Sequence, residues 1–172
     1  NETLFENPLS PAHLLIIGAG PVGVEMAQAW RRLGSAVTVL SRGLFLPRAD
    51  PELAAVVRAQ LDAEGVRIIE HAEITRVDKS KSGVVLDGSS GGQFLEIEGS
   101  HLLVAAGRVP VTESLNLAAA GVALGSDGIT VDRRLRTTNR RIYAAGDVTG
   151  PHRFTHMAAY QAGIIIRHAL FR

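Results

Sequence analysis

Six residues, Gly18-Ala19-Gly20-Pro21-Val22-Gly23, constrain this chain more than any other stretch. They follow a continuous apolar run, Leu14-Leu15-Ile16-Ile17, whose length and glycine stop read as a strand buried on both faces of a parallel sheet. They precede Val24–Leu33, where Met26, Ala27, Trp30 and Leu33 recur at helical spacing and share one face, with Gly34 as the stop. Strand, glycine-rich turn and helix in that order suit an anion. Gly18 supplies the tight turn, Gly20 lets a pyrophosphate approach the backbone, and Gly23 lets helix and strand pack closely. Exposed N–H groups and the positive helix end then hold the anion without a cationic side chain. A glycine-rich turn with no ligand is the alternative, and the order of the following elements weighs against it.

Val37–Leu40 reads as a second buried strand. Asp50-Pro51-Glu52 opens a helix, with an N-cap aspartate, proline at the first position and an acid in the first turn. Leu53, Val56, Val57 and Leu61 give that helix its expected apolar face, and Gly65 ends it. Val66–Ile69 is a third strand, so the β-α-β-α-β order requires right-handed crossovers and a parallel sheet. After Glu70 the pattern shortens and alternates. Ile74–Asp78, Val84–Asp87 and Phe94–Glu98 predict an antiparallel meander, with Ser89-Ser90-Gly91-Gly92 as a flexible hairpin tip. His101–Ala105 returns to the buried-strand pattern.

Gly107-Arg108-Val109-Pro110 marks a boundary between structural units. Beyond it the sequence predicts a short helix around Leu115–Ala119 and strands at Ile129–Val131 and Ile142–Ala145, the latter ending in Gly146-Asp147. Thr155–Leu170 reads as a helix. The fold class is α/β, a Rossmann-like parallel sheet with an antiparallel β-meander crossover.

Composition removes several functions. With 46% hydrophobic residues the chain is not intrinsically disordered. A net charge of +1, from 18 basic and 17 acidic residues, gives no electrostatic reason to expect nucleic acid or an anionic membrane as partner. The basic stretch Arg133–Arg141 lacks interleaved aromatics and reads as a solvated or packing face. There are no cysteines, which excludes thiolate metal sites and thiol nucleophiles in this chain. His13, His71, His101, His152 and His168 show no metal-ligand spacing. Asn1–Pro11 has no basic region followed by an apolar core, so a signal peptide is not expected, and no apolar run approaches the roughly 20 residues that span a bilayer. A cytoplasmic protein is the expectation.

The second strand ends in Leu40-Ser41-Arg42, without the acid that would select NAD(H) by accepting from a ribose 2′-hydroxyl. Arg42, with Arg48 further along the loop and Ser41 beside it, favours NADP(H), whose 2′-phosphate the guanidinium groups would bind. Solvated loop arginines are the alternative.

Four segments then occur in a specific order: Ile16-Ile17-Gly18-Ala19-Gly20-Pro21-Val22-Gly23-Val24-Glu25, Leu103-Val104-Ala105-Ala106-Gly107-Arg108-Val109-Pro110, Ile142-Tyr143-Ala144-Ala145-Gly146-Asp147-Val148, and Phe154-Thr155-His156-Met157-Ala158. Together they resemble the flavin-dependent pyridine nucleotide–disulfide oxidoreductases, the family of dihydrolipoamide dehydrogenase, glutathione reductase and mercuric reductase. The stretch Val37–Asp50 looks most similar to the mercuric reductase-like branch, which uses NADPH, although Gly23 stands where NADPH-using relatives often carry alanine.

That resemblance implies further roles. Glu25 matches a glutamate beneath the nicotinamide whose lysine partner has no counterpart here; an acid complementing the first helical turn is its other reading. Gly107 matches a glycine of the dinucleotide site. Gly146 and Asp147 match the close of the second flavin-binding segment, where the carboxylate accepts from a ribityl hydroxyl; a plain turn aspartate is the alternative. Thr155, His156 and Met157 would begin a helix whose N-terminus faces the flavin, with His156 itself solvated or packed and not catalytic.

Family members are longer, with a flavin-ADP fingerprint, a redox cysteine pair and a dimerisation domain supplying a catalytic histidine. The resemblance therefore implies an excised middle portion, consistent with the non-methionine Asn1. Residues 11–108 would form the NAD(P)-binding domain and 109–172 a returning FAD-domain segment, inactive alone and homodimeric at full length. A stand-alone, non-enzymatic NAD(P)H-binding redox sensor is the competing class. A flavin-independent dehydrogenase lacks its acid–base pair: Tyr143 and Tyr160 are followed at the usual lysine spacing by Asp147 and Ile164.

Overall fold

A computed structural model describes residues 6, 10–150 and 153–171. His152 and most of the Asn1–Pro11 stretch lie outside the described residues. The chain divides into two compact units, Asn1–Gly107 and Arg108–Arg172.

In the first unit, β1 (His13–Ile17), β2 (Ala36–Leu40), β3 (Arg67–Ile69) and β7 (His101–Val104) form a parallel sheet in the order β3-β2-β1-β7. The continuous apolar runs have their explanation in burial of both sheet faces. Leu14, Ile16, Val37, Val39 and Leu103 face helices α1 (Pro21–Arg32) and α2 (Pro51–Ala63). Leu15 and Leu40 face the opposite way, onto Ala72, Leu86 and Ile97 of the meander formed by β4 (Ala72–Lys79), β5 (Val84–Ser90) and β6 (Gln93–Gly99). Gly99 matters here, since a Cβ at that position would lie 2.5 Å from Leu15 Cγ.

Capping follows the sequence closely. Asp50 Oδ1 accepts from the Glu52 N–H at 2.9 Å, with Pro51 opening α2. Gly34 and Gly65 follow the ends of α1 and α2 with φ of +101° and +83°, backbone that favours glycine. The buried faces differ from the expectation, however. Leu33 is exposed because it is the C-cap of α1, past the last helical turn, and α1 buries Gly23, Val24 and Ala27, with Met26 and Trp30 packed beside them. Helix α2 buries Ala54 and Leu61, leaving Leu53 and Val56 outside. Seven residues separate Ala54 from Leu61, so they stack two turns apart on one side.

The hairpin tip shrinks to two residues. Ser89 and Ser90 belong to β5, paired with Phe94 and Gln93, and Gly91-Gly92 turns with both φ positive, as a tight hairpin with right-handed twist requires.

In the second unit, Val122, Ile129 and Ala144 form a small core with Leu117, Val131 and Val148 around it. The two strands expected here are reduced to isolated bridges, Leu124 with Ile129 and Arg136 with Tyr143. Side chains replace the ladder: Asp132 Oδ1 accepts from the Arg134 and Arg136 N–H groups, and Leu135 takes a φ of +62° between them. The helix expected at Leu115–Ala119 is a single 3₁₀ turn, Glu113–Leu115, ended by Asn116 in the left-handed region. Helix α3 occupies Thr155–Leu170, as its pattern predicted. Among the described residues no helix is long and apolar enough to cross a membrane.

Candidate functional site

The glycine-rich turn joins β1 to α1 and is fixed from both sides. Gly18 donates its N–H to Leu40 O at 2.8 Å, and Ala105 donates to Ile17 O at 2.8 Å, so the ends of β2 and β7 hold the turn. A Cβ at Gly18 would fall 2.4 Å from Ala105 O, and one at Gly23 would fall 2.0 Å from Gly18 O. Gly20 is different. A Cβ there would meet nothing within 4 Å, so its lack of a side chain leaves open space rather than satisfying a packing demand.

That open space adjoins the start of α1. Gly20 is the N-cap without a side-chain cap, Pro21 takes the first position, and the helix carries no acid in its first turn. The first helical hydrogen bond runs from Val24 N–H to Gly20 O at 3.0 Å, leaving the Val22 and Gly23 N–H groups without helical acceptors. Uncapped donors, a positive helix end and an open glycine fit a dinucleotide pyrophosphate. Glu25 is exposed and stands at the fifth helical position, beyond the first turn, which sets aside its reading as a first-turn acid. Gly107 is exposed with a φ of +117°.

Residues 41–50, after β2, carry the arginines. Both Arg42 and Arg48 are exposed, and neither makes an ion pair among the described residues. The loop beneath them is anchored. Phe45 is buried, Leu46 N–H donates to Ala19 O at 3.0 Å, and Leu46 takes a φ of +44°, unusual for a branched side chain. Ser41 is buried, and its hydroxyl reaches Leu44 O at 3.5 Å.

Sequence reasoning missed the residues that brace this loop. Glu70 Oε1 accepts the Phe45 N–H at 2.5 Å, while Glu70 Oε2 lies 2.7 Å from Arg58 Nη1. The Arg58 guanidinium carbon is 5.8 Å from the Phe45 ring centroid. The Phe45 N–H, with Arg58 behind it, holds the Glu70 carboxyl below the usual carboxylate range. The available signal was one aromatic residue inside an otherwise turn-like loop.

The second unit holds the other predicted residues. Gly146, with a φ of +81°, begins a 3₁₀ turn through Thr149 that contains Asp147. Gln161 of α3 pins this turn, its Oε1 accepting from the Gly146 N–H at 2.6 Å. The Asp147 carboxylate pairs with Arg108 Nη1 at 3.3 Å, both side chains remaining about half exposed. Arg153 steadies Arg108 by donating to its carbonyl oxygen and, at 3.0 Å, to Asp127 O. Thr155, His156 and Met157 form the first turn of α3, whose N-cap Phe154 provides no side-chain cap. His156 is exposed and stacks on the likewise exposed Phe154 at a centroid distance of 5.3 Å, a surface contact. Gln161, Arg108 and Arg153 were not among the predicted site residues, because their roles arise from contacts distant in sequence.

Comparison with known proteins identifies the family. A family model described as pyridine nucleotide-disulphide oxidoreductase matches residues 1–163. The mercuric reductase of Bacillus cereus is 39% identical over 170 residues, covering 98% of this chain and 27% of that protein. The mercuric reductase of Acidithiobacillus ferrooxidans is 42% identical over 150 residues, covering 87% and 27%. Among solved structures, the HOCl-induced flavoprotein disulfide reductase RclA from Escherichia coli superposes with a TM-score of 0.85 at 37% identity, covering 97% of this chain and 38% of that one. LpdA from Mycobacterium tuberculosis gives 0.86 at 36% identity, covering 97% and 36%. The chain thus spans between about a quarter and two fifths of these relatives.

Proposed function

The chain belongs to the pyridine nucleotide-disulphide oxidoreductase family, and from that premise we propose that it is the NAD(P)H-binding portion of a larger FAD-dependent oxidoreductase. The observation that carries this reading is the open, uncapped Gly18–Gly23 turn, with two exposed arginines on the loop beside it that make no ion pair among the described residues. Residues 11–108 hold the reduced dinucleotide and 109–172 contribute to the flavin site.

Each residue has a physical task. The Val22 and Gly23 N–H groups and the α1 dipole hold the pyrophosphate. Arg42 and Arg48 bind the 2′-phosphate and so favour NADPH over NADH. Gly107 keeps its edge of the site free of side chains, and Glu25 borders the nicotinamide side. In the flavin portion, the Asp147 carboxylate accepts from a ribityl hydroxyl, and the N-terminus of α3 faces the ring system, where its dipole favours negative charge. When both are bound, the nicotinamide and flavin supply hydride and electron transfer toward a disulfide or another acceptor; the protein binds and orients them. Helix α3 has no buried residue, and exposed Ile166 and Leu170 give the rest of the flavin domain an apolar surface to cover. The isolated chain is inactive, the full-length protein is a homodimer, and its place is the cytoplasm, where reduced dinucleotide is available.

A paired titration with NADPH and NADH tests the reading. Tighter binding of NADPH, with the preference lost in Arg42→Ala, supports it; equal affinities in the unaltered chain defeat the 2′-phosphate assignment. Tight binding by a stable, monodisperse chain that needs no further domain would favour the sensor.

A further inference from the structure

We propose that Glu70 is a positioning residue for dinucleotide selectivity: with Arg58 and Phe45 it locks the loop that carries Arg42 and Arg48 onto the phosphate-binding turn. This rests on the proposed 2′-phosphate role of those arginines. An exposed loop carrying two cationic side chains samples many conformations, and freezing it around a ligand costs entropy that weakens binding. Residues 41–50 are already held at four places. Ser41 is bonded into the sheet edge, donating to Ile69 O at 2.9 Å and accepting from Ala72 N–H at 2.8 Å. Phe45 is buried under the loop. Leu46 donates to Ala19 O, inside the glycine-rich turn itself, at 3.0 Å. Glu70 holds the Phe45 N–H between the two.

The Leu46 contact requires a positive φ in a residue with a Cβ, a conformation that persists only when neighbouring contacts enforce it. Glu70 is the neighbour that does so. One oxygen accepts the N–H immediately preceding Leu46; the other is engaged by Arg58, whose guanidinium also lies over the Phe45 ring. Glu70 therefore grips the loop through a short charge-assisted bond, and Arg58 neutralises a carboxylate that would otherwise repel an incoming phosphate. Because the glycine turn also has bonds of its own, Gly18 N–H to Leu40 O and Ala105 N–H to Ile17 O, loosening the loop leaves the pyrophosphate site in place. The lock consequently acts on the dinucleotide that bears a 2′-phosphate alone.

Binding of NADPH and NADH to the full chain bearing Glu70→Ala, Glu70→Gln or Arg42→Ala tests this assignment. Glu70→Ala is expected to weaken NADPH by about tenfold, on the scale of one charge-assisted hydrogen bond, with NADH affinity unchanged. Glu70→Gln, which keeps an oxygen for the Phe45 N–H, should restore most of the NADPH preference. Unchanged NADH binding also shows that the Ala variant is folded. Equal weakening of both dinucleotides would overturn the proposal by making Glu70 a general stability residue. So would a preference that Arg42→Ala abolishes and Glu70→Ala leaves intact, with the 2′-phosphate reading then still standing. No preference in the unaltered chain would overturn both.

Discussion

The three glycines of the turn do different work, and substitution separates them. At Gly23 a Cβ would sit 2.0 Å from Gly18 O, a distance that only backbone movement relieves. Gly23→Ala is therefore expected to destabilise the first unit by about 1–3 kcal/mol, the usual range for forced overpacking. At Gly20 nothing lies within 4 Å and φ is −79°, open to any residue. Gly20→Ala should change stability by less than about 1 kcal/mol while weakening dinucleotide binding. Denaturant unfolding paired with an NADPH titration checks both, and a destabilised Gly20→Ala would contradict the division of labour. The same geometry bears on alanine at the third glycine in NADPH-using relatives: with this arrangement of the turn, selectivity cannot be read from position 23. It depends on the loop beyond β2. The glycine spacing and the arginines were legible in the sequence because their chemistry is local. Glu70 was not, since its partner Phe45 lies 25 residues away and nothing in a strand-ending glutamate reveals which N–H it will accept.

At the scale of elements, the ends of α1 and α2 are joined by a polar clamp. Arg32 bonds both Glu64 oxygens, at 2.6 and 3.0 Å, Gln60 and Gln28 add to one of them, and Arg31 donates to the Glu64 carbonyl oxygen at 2.7 Å. Arg32, followed by the glutamine donors, lowers the Glu64 pKa from an ordinary 4.5 to about 2. Because the folded value lies below the unfolded one, the clamp's contribution is fully present above pH 4.5 and is lost as pH falls toward 2. The stability difference between the unaltered chain and Arg32→Ala should accordingly shrink across that window, and high salt should shrink it at neutral pH, because Arg32 lies largely in solvent. A difference that stays constant from pH 6 to about pH 2 would contradict this. Element existence was largely legible here: runs of four apolar residues gave the buried strands, and proline and glycine gave the helix limits. Faces were less so. Leu53 and Val56 follow helical spacing as well as Ala54 and Leu61 do, and only the position of the sheet decides that the smaller alanine goes inside.

For the whole molecule, the first unit is a three-layer arrangement of helices, parallel sheet and meander, whose alternating strand residues serve two cores. The second unit has a smaller core and relies on side-chain to backbone bonds from Asp132, Thr138 and Asn139. Strand predictions failed in this unit because an apolar run such as Ile142–Ala145 shows burial without showing whether a partner strand lies alongside. The dinucleotide assignments all depend on phosphates resting at the start of α1, and the backbone amides there report it directly. In NMR spectra of the chain, NADPH should shift and protect the Val22 and Gly23 amides together with those of residues 42–48, whereas NADH should affect the former and largely spare the latter. Amides of the Gly18–Gly23 turn that stay unmoved while dinucleotide binds would contradict the account at its base.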